Sequence, residues 1–172
     1  MNTLILSLWS LLSFSDIYSI TIPGINGSAP IHFSDFAGKR ILIVNTASKS
    51  DFVEQYSKLE ELYQQNKDSL VIIAVPSNDF GNEPDDEATI QSFVQDTYHI
   101  HFLLAGKANV KEDHPSDLYK WLTDASENSV MGSKVKYDFQ KYLIEPDGRL
   151  SWFFAGAVDP LDPTLLNAIH GQ

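Results

Sequence analysis

Residues 40–50 read RILIVNTASKS, and the aliphatic part of this stretch decides the fold. Residues 40–45 form an almost unbroken apolar run, which is typical of a strand that is buried on both faces of a sheet. A second run of this kind, residues 70–75 (LVIIAV), follows a segment with apolar residues at helical spacing, residues 54–65. This strand–helix–strand order predicts a parallel pair of strands joined by a right-handed crossover.

The remaining segments extend the same alternation in both directions. Before the central pair, two β-branched segments flank a Pro-Gly turn cluster and predict an opening β-hairpin. After it, the pattern predicts a helix that opens on the acids at 85–87, a strand at 101–104, a helix at 117–123, a hairpin of strands 142–144 and 150–154, and a last helix at 159–169. Together these elements predict an α/β sandwich of three layers, with functional loops at the carboxyl ends of the parallel strands.

Composition excludes several classes of function. The length of 172 residues suits one domain, and a net charge of −11 leaves no basic surface for nucleic acid or for anionic lipid. The chain contains no cysteine, so disulfides, cysteine-ligated metals and every thiol mechanism are excluded. We therefore expect an acidic protein without a cofactor and without a dedicated metal site, whose partner is a protein or a small ligand that the sequence does not identify.

The N-terminal residues allow two interpretations. Residues 4–14 (LILSLWSLLSF) are apolar and are followed by small residues that a signal peptidase could cut before Asp16. In the first interpretation residues 1–15 are a signal peptide and the protein is exported to the periplasm or the extracellular space. In the second they are an N-terminal extension that packs on a cytoplasmic domain formed by residues 16–172. The run is too short to cross a bilayer unaided.

Four ordered segments resemble the glutathione peroxidase family, whose members have the thioredoxin fold. The resemblance runs from about Tyr18 to Ile169, and the order of the motifs is more specific than any one of them. The four segments are residues 43–50 (IVNTASKS), 76–81 (PSNDFG), 114–122 (HPSDLYKWL) and 135–143 (VKYDFQKYL). The resemblance implies a thioredoxin-like sandwich with a mixed central sheet, flanking helices and an N-terminal β-hairpin.

The same resemblance locates the family's catalytic tetrad in this chain. The position of the peroxidatic cysteine or selenocysteine is Ser50, and the supporting Gln, Trp and Asn correspond to Asp79, Tyr137 and Asp138. All four residues are therefore substituted. The positions of the second and the resolving cysteine correspond to Ser77 and Gln95, so that no disulfide partner remains.

These substitutions lead to three hypotheses for function. The favoured one is a peroxidase-inactive homologue that acts as a binding or structural module. The second is residual peroxidase or oxidoreductase activity in the response to oxidative stress, as the family implies. The third is binding of a divalent cation or a small ligand at a pocket that contains Asp79 and Asp138, against the simpler interpretation that both acids are solvated at a loop surface.

Two other patterns carry less weight. A serine hydrolase role for Ser50 fails, because its neighbours lack the Gly-x-Ser-x-Gly turn and no histidine is placed to act as its base. His99 and His101 would share one face of an extended strand, a spacing that suits a metal. The simpler interpretation of this pair is two half-exposed strand residues.

Overall fold

The computed structural model describes residues 16–111 and 113–172. The predicted signal peptide or extension, residues 1–15, lies outside the described residues. No helix in the described part of the chain is long and apolar enough to cross a membrane.

The described residues form seven strands and five α-helices. The strands are β1 (Thr21–Ile22), β2 (Ile31–His32), β3 (Arg40–Thr46), β4 (Leu70–Pro76), β5 (Leu103–Leu104), β6 (Lys141–Ile144) and β7 (Leu150–Phe154). The helices are α1 (Gln55–Asn66), α2 (Glu87–Tyr98), α3 (Asp117–Thr123), α4 (Ala125–Asn128) and α5 (Pro163–His170). Strands β1 and β2 pair in the predicted opening hairpin, and the other five strands form one sheet.

The central sheet has the strand order β5-β4-β3-β6-β7. Strands β3 and β4 are parallel and pair from Arg40 with Leu70 to Thr46 with Pro76, as their sequences predict. Strand β5 continues the parallel part, whereas β6 and β7 are antiparallel. The sheet is therefore mixed, and β7 forms one of its edges.

Apolar side chains fill the space on both faces of the sheet. Leu42 and Val44 of β3 face helices α1, α2 and α5, while Ile41 and Ile43 face α3 and the N-terminal hairpin region. Because successive residues of a strand point to opposite faces, a strand that is apolar at every position can support both layers. This three-layer arrangement confirms the predicted α/β class.

Several predicted boundaries were wrong. Residues 17–19 form a short 3₁₀ helix, so the opening strand is confined to β1. The last helix begins at Pro163, where the Asp162 carboxylate caps the first turn. Helix α4 was not predicted, since a single turn has no measurable periodicity.

The prediction that His99 and His101 share a strand was also wrong. His99 has a left-handed backbone conformation, with φ of 50°, and it ends α2. The Nδ1 atom of His101 lies 2.8 Å from Glu60 Oε1, and β5 begins only at Leu103. The two residues therefore do not share a strand face, and the spacing argument for a pair of metal ligands no longer applies.

Candidate functional site

Ser50 lies in the loop that joins the carboxyl end of β3 to helix α1. Its side chain is buried, and its Oγ accepts a hydrogen bond from the backbone N–H of Phe52 at 3.3 Å. The neighbouring strand β4 ends in the same region, where Ser77 N donates to Thr46 O at 3.0 Å. Ser50, which the sequence resemblance assigns to the peroxidatic position, thus lies at the carboxyl edge of the parallel strands, where ligand sites occur in α/β sheets.

Asp138 approaches this loop from the segment that precedes β6. Asn45, near the end of β3, holds that segment with two hydrogen bonds: its Nδ2 donates to Tyr137 O at 3.0 Å, and its carbonyl accepts from Phe139 N at 2.6 Å. Gly156 also lies against the segment, because a Cβ at this position would be 2.0 Å from the Asp138 carbonyl oxygen. Backbone contacts from two sides therefore fix the place of Asp138.

The carboxyl group of Asp138 is completely buried. Asn82 Nδ2 donates to its Oδ2 at 2.7 Å, and no described residue forms a hydrogen bond of ordinary geometry with its Oδ1. Burial raises the pKa of Asp138, while Asn82 and the nearby Ser50 hydroxyl lower it. The site consequently contains an acidic group that burial biases towards its protonated form.

Tyr137, the residue before Asp138, contacts two further aromatic rings and Asn82. Its ring packs edge-to-face on Phe52, with centroids 5.8 Å apart, and lies 5.6 Å from the ring of Phe80. Its hydroxyl accepts from Asn82 Nδ2 at 3.2 Å. The amide of Asn82 therefore contacts both Tyr137 and Asp138 and joins them into one cluster.

Asp79 makes different contacts from the other three tetrad positions. Its Oδ2 accepts from the backbone N–H groups of Val110 and Lys111 at 2.6 and 2.9 Å. The Lys111 ammonium donates to the Asp79 carbonyl. The carboxylates of Asp79 and Asp138 thus share no hydrogen-bond partner, and the described residues contain no group of three or more His, Asp or Glu that could hold a metal ion.

Two residues of the cluster were missed by sequence reasoning. Asn82 and Glu83 lie in a loop whose Gly and Pro content predicted only a turn. The Glu83 carboxylate is buried and accepts from Ser48 N and from Ser48 Oγ, both at 2.6 Å. Lys49 N also donates to Asn82 O at 2.9 Å, so that hydrogen bonds to residues 82–83 hold the Ser50 loop in place. In the sequence, these two polar residues could have been recognised as site candidates because they follow a buried strand.

The surroundings of Glu83 shift its pKa as well. Burial raises the pKa of the carboxyl group, whereas the two hydrogen bonds from Ser48 and the charge of Lys107 lower it. Both acids that contact the Ser48–Ser50 loop, Glu83 and Asp138, are therefore shifted in the same direction and by the same main cause.

A buried lysine lies behind the site. Lys141 Nζ donates to Gln55 Oε1 at 2.7 Å, to Phe139 O at 2.8 Å and to Gly156 O at 3.3 Å. Burial lowers the pKa of Lys141 to about 7, and the charge of Asp159 opposes this shift. In its ammonium form Lys141 can donate to all three acceptors, and loss of the proton leaves one of them without a donor.

The two residues that the resemblance assigns to further cysteine positions, Ser77 and Gln95, differ in their surroundings. Ser77 is buried, and its Oγ accepts from Asp79 N at 3.3 Å. Gln95 is exposed on α2 and takes part in ending that helix, since its carbonyl accepts from His99 N at 3.0 Å. Neither residue has chemistry that could replace a thiol.

Comparison with solved structures defines the class of protein. A crystal structure titled Trgpx in apo form matches with a TM-score of 0.68 and 30% identity, over 91% of this chain and 96% of that one. A secreted Mycobacterium tuberculosis disulfide oxidoreductase matches with a TM-score of 0.59 at 15% identity, over 90% of this chain and 97% of that one. The second match shows the fold alone, and both place the chain in the thioredoxin-fold class.

Comparison with sequences defines the family more narrowly. The glutathione peroxidase family model matches residues 17–123, a range that includes Ser50 and Asp79. A glutathione peroxidase-like peroxiredoxin of Chlamydomonas reinhardtii is 35% identical over 84% of this chain and 90% of its own length. A glutathione peroxidase of Lactococcus lactis subsp. cremoris is 36% identical over 84% of this chain and 92% of its own length. The chain belongs to the glutathione peroxidase family.

Proposed function

We propose that this chain is a peroxidase-inactive member of its family that acts as a binding or structural module. The observation that carries the proposal is the buried serine at the peroxidatic position of a chain without cysteine. Reduction of a peroxide in this family needs a thiolate or selenolate that attacks the O–O bond and is oxidised in the process. A serine hydroxyl neither ionises near neutral pH nor passes through such an oxidised state.

The surroundings of Ser50 support loss of the reaction. A peroxidatic group reacts as an anion, and in this chain the acidic group of Asp138 lies beside Ser50. A carboxylate there would oppose a second negative charge, whereas an amide would not. The chain therefore lacks the sulfur, and beside Ser50 it carries an acid whose ionisation would oppose that of a nucleophile.

A binding role is supported by the same region. Asp138 Oδ1 has no partner among the described residues, although it is buried. A groove of about 520 Å³ has Phe52, Tyr137 and Phe153 in its wall, and although the buried Asp138 does not line it, the adjacent residue Tyr137 does. Pockets of this size that combine an apolar wall with a few polar groups are typical of sites for small ligands. The divalent-cation hypothesis has less support, because Asp79 already binds two backbone amides.

The competing function, residual peroxidase activity, is tested directly. Purified protein is mixed with hydrogen peroxide or an organic hydroperoxide and with either the thioredoxin system or glutathione, and peroxide consumption is followed. A cysteine-containing member of the family serves as the positive control. We expect no turnover above a protein-free blank, and sustained turnover with either reductant would contradict the proposal.

A further inference from the structure

Asn26 and Gly27 form the only asparagine–glycine pair in the chain. They lie at the tip of the opening hairpin, in a single 3₁₀ turn (Ile25–Gly27) between β1 and β2. The side chain of Ile25 is buried, whereas Asn26, Gly27 and Ser28 are exposed. Both residues of the pair have a positive φ, of 49° at Asn26 and 74° at Gly27. Water therefore has access to the whole pair.

An asparagine that precedes a glycine can lose its side-chain amide without an enzyme. The backbone nitrogen of the glycine attacks the side-chain carbonyl carbon, the bond from this carbon to the amide nitrogen breaks, and ammonia leaves. The product is a five-membered succinimide ring. Water then opens the ring at either carbonyl and yields aspartate or isoaspartate, in which the main chain runs through the side-chain carbon. Glycine favours the attack because it has no Cβ beside the nitrogen and restricts the backbone least.

The contacts of Asn26 leave this reaction open. Its Nδ2 donates to Gln91 Oε1 at 3.2 Å in an exposed hydrogen bond. Ring closure needs rotation at Asn26, which a single exposed turn resists less than a helix or a paired strand does. Asn109 is exposed as well, but it precedes Val110, whose branched Cβ crowds the nitrogen and whose N–H already donates to Asp79 Oδ2 at 2.6 Å.

Asn26 also takes part in the contact between the opening hairpin and α2. Glu87, in the first turn of α2, accepts from Asn26 N through Oε2 at 2.7 Å and from Lys107 N through Oε1 at 2.6 Å. One carboxylate therefore connects the hairpin, α2 and the segment after β5. The Gln91 side chain adds a second link from α2 to the same turn.

We propose that Asn26 is a site of spontaneous deamidation, and that the reaction loosens the contact between the opening hairpin and α2. Both products carry a carboxylate at residue 26, near the Glu87 carboxylate, and like charges repel. Both also replace the amide that donates to Gln91 Oε1 with oxygen atoms, so that two acceptors face each other. This modification is independent of ligand binding near Ser50.

The first experiment follows the full-length protein at neutral pH and 37 °C by peptide mapping and mass spectrometry. The peptide that contains Asn26 should gain the mass difference between NH₂ and OH, and protein isoaspartyl methyltransferase should then methylate it. Conversion should be at least about tenfold faster at Asn26 than at Asn109. In Asn26→Gln it should be suppressed, because the longer side chain would need a six-membered ring. Conversion that is absent, or no faster than at Asn109, would overturn the proposal.

The second experiment measures the consequence by hydrogen–deuterium exchange. Asn26→Asp contains one of the two products from the start, and Asn26→Gln gives the baseline for a changed side chain without a new charge. In Asn26→Asp and in aged protein, the amides of residue 26 and Lys107 should exchange several-fold faster than in fresh protein, while those of β3 stay unchanged. Unchanged exchange at residue 26 and Lys107, an equal increase in Asn26→Gln, or an increase that extends to β3 would contradict the proposed local effect.

Discussion

Asn82 donates a hydrogen bond to Asp138 across 56 positions of sequence, from Nδ2 to Oδ2 at 2.7 Å. The same nitrogen lies 3.2 Å from the Tyr137 hydroxyl. An amide at position 82, rather than at the tetrad position 79, therefore supplies the donor for the cluster around Ser50. The polar contacts around Ser50 are therefore organised around a buried acid.

The first prediction concerns this hydrogen bond. Asn82→Ala leaves the buried Asp138 carboxyl without its best partner, and we expect the free energy of unfolding to fall by about 1–3 kcal/mol. The measurement is urea denaturation at pH 7. The control is Asn109→Ala in an exposed loop, where a change within about 0.5 kcal/mol is expected. Equal effects of the two substitutions would show that the Asn82 amide does not support Asp138.

The second prediction follows from the raised pKa of Asp138. When the pKa is higher in the folded protein than in the unfolded chain, the folded protein binds the proton more tightly, so stability falls as pH rises between the two values. The substitution Asp138→Asn removes the ionisable group and with it this fall in stability. The variant should be more stable than the parent at pH 7, and the difference should shrink as the pH falls below the pKa of an ordinary aspartate.

The measurement for Asp138→Asn is a series of urea unfolding curves from neutral to acidic pH. Asp68→Asn changes the same atoms at an exposed position and gives the baseline for loss of one negative charge. A stability difference that grows on acidification would mean that burial does not penalise the Asp138 carboxylate.

The architecture could be predicted because its main signals are local. The apolar runs of β3 and β4 are continuous, so burial on both faces and parallel pairing followed from residues 40–45 and 70–75. Helix α3 was predicted with its observed bounds, Asp117–Thr123. The short elements were missed or misplaced, because one turn of helix, or a left-handed residue such as His99, depends on contacts rather than on periodicity.

The site could be predicted only in part, for a related reason. Ser50 and Asp138 meet because they lie at the ends of β3 and β6, which are neighbours in the sheet. The direction of the Asp79 side chain depends on amides 31 and 32 positions away, and that of Asn82 depends on residues 55 and 56 positions away. A pattern of turn-forming residues contains no information about such distant partners.

The third prediction concerns Lys141. Its pKa is lowered to about 7 in the folded protein, against about 10.4 for an ordinary lysine. Between these values the unfolded chain holds the proton and the folded protein does not, so stability from this group rises with pH. Relative to the variant Lys141→Met, the parent should therefore gain stability as the pH is raised from about 7 to 10.

Unfolding curves over this alkaline range test the prediction for Lys141. Lys67→Met, at an exposed position just after α1, corrects for loss of one positive charge. If the free energies of unfolding of the parent and of Lys141→Met change with pH in parallel, the three acceptors hold the ammonium at an ordinary pKa.

The last prediction restores sulfur to the peroxidatic position. In Ser50→Cys the thiol is buried next to Asp138, and a nearby carboxylate raises the pKa of a thiol by favouring its neutral form. Little thiolate should be present at pH 7, so reaction with hydrogen peroxide should be slow. In the double variant Ser50→Cys/Asp138→Asn the opposing charge is absent, and formation of sulfenic acid should be at least about tenfold faster.

Trapping of the sulfenic acid with dimedone, followed by mass spectrometry at timed intervals, measures both rates. Ser77→Cys is the control for a buried thiol whose side chain has no hydrogen bond to Asp138 among the described contacts. If the single and double variants react at the same rate, Asp138 does not suppress ionisation of a thiol at position 50.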